Sequence, residues 1–129
     1  MSARAVLTPG APTPVGPYAQ AVVTGDWVFA SGQVPLDPGT GRMVPGEFEA
    51  QVERVLDNLR AVLEAAGASL DTVVKTTVFL TDLGLFPRLN AVYGRYFTAD
   101  PKPARSTIGV AALPLGAAVE IEAVARLRG

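Results

Sequence analysis

The chain has 129 residues, 49% of them apolar and 18% charged, with Lys+Arg 11 against Asp+Glu 12 and a formal net charge of −1. That is one domain's length, from residue 1 to 129, able to bury roughly two-thirds of its unfolded surface without staples. The apolar content argues against disorder, and the balanced charge against gripping nucleic acid through its phosphates, which needs a basic excess. There is no Cys and no His. Disulfides, thiolate nucleophiles, Cys-ligated metals and the usual neutral-pH general base therefore drop out, and Ser–His–Asp and Cys–His catalysis with them. Chemistry is left to carboxylates, Arg, Lys, Tyr, hydroxyls, backbone groups or water, with no metal expected. The opening MSARAVLTPGAP carries no signal-type apolar run, and no stretch reaches the ~18 apolar residues of a membrane span. A cytoplasmic protein with no membrane partner is the expectation.

Residues 1–17 hold four prolines and two glycines and read as an extended, irregular arm. Ala19–Thr24 and Trp27–Gln33 read as two short strands joined by a tight turn at Gly25-Asp26. PLDPGTGRMVPG, residues 35–46, is a surface loop. From Phe48 to Ala66, the residues Val52, Val55, Leu56, Leu59, Val62, Leu63 and Ala66 follow the spacing of a one-faced amphipathic helix. Glutamates cluster near its start, where the helix dipole favours them, and Gly67 supplies its stop. Thr72–Leu80, β-branched and aromatic, reads as a strand. A second amphipathic helix runs over about 86–97, with Asp82 as its cap and Pro87 in its first turn. After the break at Asp100-Pro101-Lys102-Pro103, two strands are expected at about 105–112 and 118–127, joined by LPLG.

Two helices can cover only one face of the resulting mixed sheet, which makes a two-layer α+β domain. In the last strand Val119, Ile121, Ala123, Ala125 and Leu127 form a clean apolar row for the helices, leaving Glu120, Glu122, Val124 and Arg126 on the other face. In 72–80 both parities are largely apolar: Val73, Thr77 and Phe79 on one side, Val74, Val78 and Leu80 on the other. A sheet apolar on both faces needs a second cover, and self-association is expected to supply it.

Four features could carry chemistry. Glu120 and Glu122 sit in a strand otherwise built from Val, Ile and Ala, and carboxylates are rarely buried unless paired. They read either as a solvated strand edge or as partners of Lys75, itself awkward in the middle of an apolar strand. Arg105, set among Pro103, Ala104, Ser106 and Thr107, offers a fork that fits a carboxylate bidentately, or makes an internal salt bridge. Tyr18 and the Ser31-Gly32-Gln33 end of the second strand complete the set. A glycine inside a strand marks either a bulge or a close approach. No GxxxxGK[ST] phosphate loop occurs.

Gly16-Pro17-Tyr18-Ala19-Gln20, Ala30-Ser31-Gly32-Gln33, Val74-Lys75-Thr76-Thr77-Val78-Phe79, Pro103-Ala104-Arg105-Ser106 and Val119-Glu120-Ile121-Glu122-Ala123, in that order, resemble the RidA (YjgF-type) family. Leu56-Asp57-Asn58-Leu59 and Asn90-Ala91-Val92-Tyr93 match its helices. The resemblance implies a chorismate-mutase-like fold assembled as a homotrimer with intersubunit active sites. It also implies a 2-iminobutanoate/2-iminopropanoate deaminase that needs no cofactor and releases 2-keto acids and ammonia. Carried over by position, Arg105 clamps the substrate carboxylate and Glu120 orients the attacking water. Tyr18, Ser31, Gly32 and Asn90 line the pocket, and main-chain groups of Gly32 and Thr107 hold the reacting nitrogen or oxygen. Thr107 departs from the family, where Cys is common; a backbone role survives the change and thiol chemistry does not. Relatives described as endoribonucleases or translation inhibitors make an RNA-directed role the alternative, though nucleic acid fits this charge balance poorly, and a metabolite-sensing binding role is a third reading.

Overall fold

The apolar stripe of the long helix is the keel of the molecule. In the computed structural model, which describes residues 2–129, α1 spans Phe48–Ala66 and buries Val52, Val55, Leu56, Leu59, Val62, Leu63 and Ala66, as its periodicity requires. Each of the valines and leucines, fully removed from water, contributes about 1.5–3 kcal/mol, and the alanine methyl roughly 0.8 kcal/mol. The helix stops at Gly67, whose φ of 94° is the left-handed cap position that favours glycine.

The strands are β1 (Arg4–Val6), β2 (Ala21–Thr24), β3 (Trp27–Gln33), β4 (Val73–Leu80), β5 (Ala104–Gly109) and β6 (Val119–Arg126), and the second helix, α2, is Phe86–Tyr96. They form one six-stranded sheet in the order β1-β2-β3-β6-β4-β5, antiparallel except for the parallel β4–β5 pair. Both helices lie on one face of a mixed sheet, the expected α+β architecture. The β2–β3 turn is the tight Gly25-Asp26 link, with Gly25 at φ 57°. No helix is long and apolar enough to cross a membrane among the described residues.

Five local expectations are corrected. The N-terminal arm contains β1, a strand too short to show a period in the sequence, held as an edge by pairing with β2. LPLG does join the last two strands, but β5 ends at Gly109 rather than near 112, and β4 lies between β5 and β6 in the sheet. Asp82 caps the single 3-10 turn Leu83–Leu85, accepting from Gly84 N at 2.8 Å, rather than α2 itself. A bulge between Val73 and Lys75 shifts the parity of β4, so that Val73 faces the helices and Val74 the open side. Lys75 pairs with neither glutamate; its Nζ donates to Ser106 Oγ at 3.3 Å.

The core is continuous between α1, α2 and the helix-facing rows of β3, β4 and β6. The opposite sheet face is uncovered and apolar in much of its area. Phe29 there is 49% exposed, and Trp27, Val74 and Ile108 are exposed on the same face.

Candidate active site

Register places the functional side chains. Along β3, Ala30 pairs with Ala123 and Gln33 with Ile121, so both Ser31 and Gly32 stand opposite Glu122. That is a β-bulge, with the chain turned so that both residues face the open side while Ala30 and Gln33 stay buried. Gly32 is required by a close approach as well. A Cβ built there would lie 2.8 Å from Glu120 Cδ and closer still to Oε2. The Glu120 side chain therefore crosses directly over the Gly32 α-carbon, and both explanations offered for this glycine hold together.

Around this crossing lies a cleft of about 390 Å³, lined among others by Tyr18, Ser31, Gly32, Leu115, Glu120 and Glu122. Its floor is fixed by hydrogen bonds. Ser31 Oγ donates to Ala19 O at 2.6 Å, and Ser31 N donates to Gln20 O at 2.9 Å. Gln20, 1% exposed, accepts from Thr8 N at 2.7 Å and donates to Thr8 O at 3.1 Å and Pro12 O at 3.0 Å. One buried amide thus ties the proline-rich arm down as a wall. Tyr18, half in solvent, accepts from Val15 N at 3.2 Å through its hydroxyl.

Glu120 makes no ion pair among the described residues. Burial pushes its carboxyl above the usual carboxylate range, and the neighbouring Glu122 charge pushes in the same direction. A half-buried carboxylate held without a cation, with raised proton affinity and room for small molecules beside it, is chemically able to take a proton from a bound water. The cleft lining includes two carboxylates and no Lys or Arg.

Arg105 lies elsewhere. Thr76 pairs with both Arg105 and Ala123, whereas Phe79 pairs with Glu120 and Ile108. Thr76 and Ala123 are buried on the helix side, so Arg105 shares that side, at the outer edge strand, and Glu120 is on the opposite face of the sheet. The guanidinium carbon sits 4.8 Å from the Tyr93 ring centre and 5.2 Å from that of Phe86. These two rings of α2 hold it by cation–π contact. Tyr93 is itself anchored by a 2.6 Å hydrogen bond between its hydroxyl and the buried Thr76 Oγ1. Burial raises the proton affinity of the Tyr93 phenol, opposed by the Thr76 hydrogen bond and the Arg105 charge. Arg105 forms no salt bridge among the described residues, so its hydrogen-bonding edge is uncommitted.

Asn90, four residues after Phe86 and three before Tyr93, belongs to the same helical stripe. Its Oδ1 is buried with no hydrogen-bond partner. Thr107, two residues beyond Arg105, is half-buried on the same side and in register with Val78. The sequence-derived residues therefore fall into two groups. Tyr18, Ser31, Gly32 and Glu120 converge on one cleft; Arg105, Thr107 and Asn90 gather around the outer edge strand on the other face. A single chain does not bring the two together.

Gln20, Phe86 and Tyr93 also matter here, although the sequence points to no role for them in the site. For the two aromatics the signal was spacing: positions 86, 90 and 93 set an amide between two rings at i, i+4 and i+7. For Gln20 the signal was a lone amide heading an apolar strand.

The model of the family described as endoribonuclease L-PSP matches residues 8–127. Protein DfrA of Myxococcus xanthus is 54% identical over 127 residues, which cover 97% of this chain and 96% of that one. The chloroplastic Reactive Intermediate Deaminase A of Arabidopsis thaliana is 49% identical over 122 residues, covering 95% of this chain and 65% of the plant protein. The crystal structure of RidA from an Antarctic Psychrobacter is 46% identical and superposes with a TM-score of 0.92, covering 96% of this chain and 99% of that one.

Proposed function

The chain belongs to the endoribonuclease L-PSP family, which includes the RidA and YjgF proteins, and from that premise we propose that it hydrolyses reactive enamine and imine intermediates, 2-iminobutanoate and 2-iminopropanoate, to 2-keto acids and ammonia. The observation that carries this reading is the Glu120 carboxylate, seated over Gly32 in the cleft with raised proton affinity and no cation of its own. An enamine first takes a proton at carbon to become the iminium ion, and an imine reaches the same ion by protonation at nitrogen. Water then adds to the iminium carbon, giving up a proton to Glu120. That proton passes to the amino nitrogen of the carbinolamine, the C–N bond breaks, and ammonia leaves as the hydroxyl gives up its proton to Glu120 and solvent and the carbonyl forms. Holding water against an already electrophilic carbon supplies proximity, and the carboxylate supplies general-base help worth about 10²–10⁴-fold.

The substrate carboxylate needs a cation that the Glu120 cleft of one chain lacks, while Arg105 has a free edge on the opposite face. The reading therefore includes a homotrimer in which Arg105, Asn90 and the Thr107 backbone of one copy close the cleft of the next. The uncovered apolar face, with Phe29 and Ile108, supports that assembly. Against an RNA-directed role, Arg88, Arg95 and Arg60 on the helix face are each paired with a carboxylate: Glu49 at 2.6 Å, Glu53 at 2.9 Å and Asp57 at 2.7 Å. Such pairing leaves no stripe of free cations there for phosphates.

The test is complementation. Coupled to a threonine dehydratase acting on threonine, the chain should speed the appearance of 2-ketobutyrate, and Arg105→Ala and Glu120→Gln should each abolish that acceleration. Mixing the two variants through an unfolding and refolding cycle should restore part of it, because a mixed trimer contains an intact Arg105–Glu120 cleft. No recovery from a mixed trimer of the correct mass refutes the shared site, and full activity of Arg105→Ala refutes the clamp.

A further inference from the structure

We propose that Leu115 selects the substrate's side chain, favouring 2-imino acids whose side chain has two or more carbons. The inference rests on the imine-hydrolase reading and deepens it. Ala117 N donates to Pro114 O at 3.1 Å, closing a turn whose central residues are Leu115, at φ 59° and ψ 23°, and Gly116, at φ 72°. Both are left-handed, which makes a type I′ turn, a conformation suited to Asn, Asp or Gly at its first central position. Leu115 is the one non-glycine residue with positive φ among the described residues.

Core packing does not explain it. Within its own chain the residue is 60% exposed, so it gains little from its own core, yet it lines the cleft that holds Glu120. A side chain kept in an unfavourable backbone conformation, outside the core and beside a reactive carboxylate, is retained for what it does at the site. Val15 and Leu36 line the same cleft and extend the apolar wall. Ser31, Glu120 and Glu122 supply its polar part. A substrate whose imine carbon faces Glu120 can lay an alkyl side chain on Leu115 and gain apolar contact that a single methyl group does not reach.

The experiment measures kcat/KM for imines generated in situ by an amino acid oxidase from alanine, 2-aminobutyrate and norvaline. Melting temperatures are read on the same proteins. One methylene in an enclosed pocket discriminates about 10–200-fold. For a wall this open, Leu115→Ala should cut the preference for ethyl and propyl over methyl side chains about fivefold, with no gain in melting temperature. Leu115→Asn should cut it equally and raise the melting temperature by about 3 °C, because Asn accepts the left-handed conformation. An unchanged preference in both variants overturns the proposal. So does a lower melting temperature for Leu115→Asn, which would mark the leucine as packing. Absence of imine hydrolysis by the unsubstituted chain is a different result and overturns the parent reading instead.

Discussion

Gly32→Ala separates the geometry of the base from the stability of the fold. The added Cβ would meet Glu120 Cδ at 2.8 Å and Cγ at 2.9 Å, whereas ordinary contact begins at 3.4 Å. The carboxylate must retreat by about 0.6 Å at Cδ, the difference of those two distances, and further at Oε2, which lies nearest. All three obstructing atoms belong to the far part of one flexible, half-buried side chain, not to backbone. The side chain can swing clear, and φ at Gly32 is not in the left-handed region. Folding stability should therefore change by no more than about 1 kcal/mol, since lost chain entropy in the unfolded state offsets part of the crowding. Activity should not escape so lightly. Displacing a base by the better part of an ångström costs on the order of 100-fold, set against about 10²–10⁴-fold for losing the base altogether. The assay is kcat/KM for imine hydrolysis beside a urea midpoint for Gly32→Ala, Glu120→Gln and the double variant. The two activity losses should be strongly non-additive, because both act through one carboxylate. A Gly32→Ala protein that melts normally and keeps full activity would refute the assignment of Glu120 as the base.

Two more expectations follow from the same geometry. Glu122→Gln removes the charge that helps to raise the Glu120 proton affinity; ionised Glu120 is then favoured, so the acid limb of the kcat/KM–pH profile should move to lower pH, and an unmoved limb would show that Glu120 is not the titrating group. Thr76→Val leaves the buried Tyr93 hydroxyl without its 2.6 Å partner and should lower stability by about 1–2 kcal/mol in denaturant titration, while KM rises more than kcat falls because the ring beneath Arg105 loses its anchor.

Much of this molecule was legible as a string. The one-faced period of Phe48–Ala66 and the glycine after it located the long helix to the residue, because a helix that buries one stripe must repeat it every 3.6 positions and must end where a left-handed cap is available. The alternation in 119–126 sorted Glu120 from Ile121 onto opposite faces for the same kind of reason, with a period of two. The apolar residues on both parities of 73–80 announced an uncovered sheet face, although the bulge at Val73 exchanged which valine lay on it.

What local pattern does not encode is the distance between residues far apart in the chain. Gly32 could be read only as a bulge or a close approach until β3 and β6 were brought into register; then it proved to be both, with residue 120 as the group approaching. A Lys75–glutamate pair was one of two readings open in the sequence; register sets Lys75 opposite Ala104 and Val124, with Ser106 and Glu122 both opposite Thr77 two positions along, and the side chain donates to Ser106. Composition alone determined that any catalysis here works without His or Cys. Whether Arg105 and Glu120 could meet was decided by the strand order β6-β4-β5 and its parity, which put them on opposite sides of one sheet. The physical reason is that backbone periodicity is a short-range property of the chain, while strand order and register are settled by the competition of every apolar face for the same core.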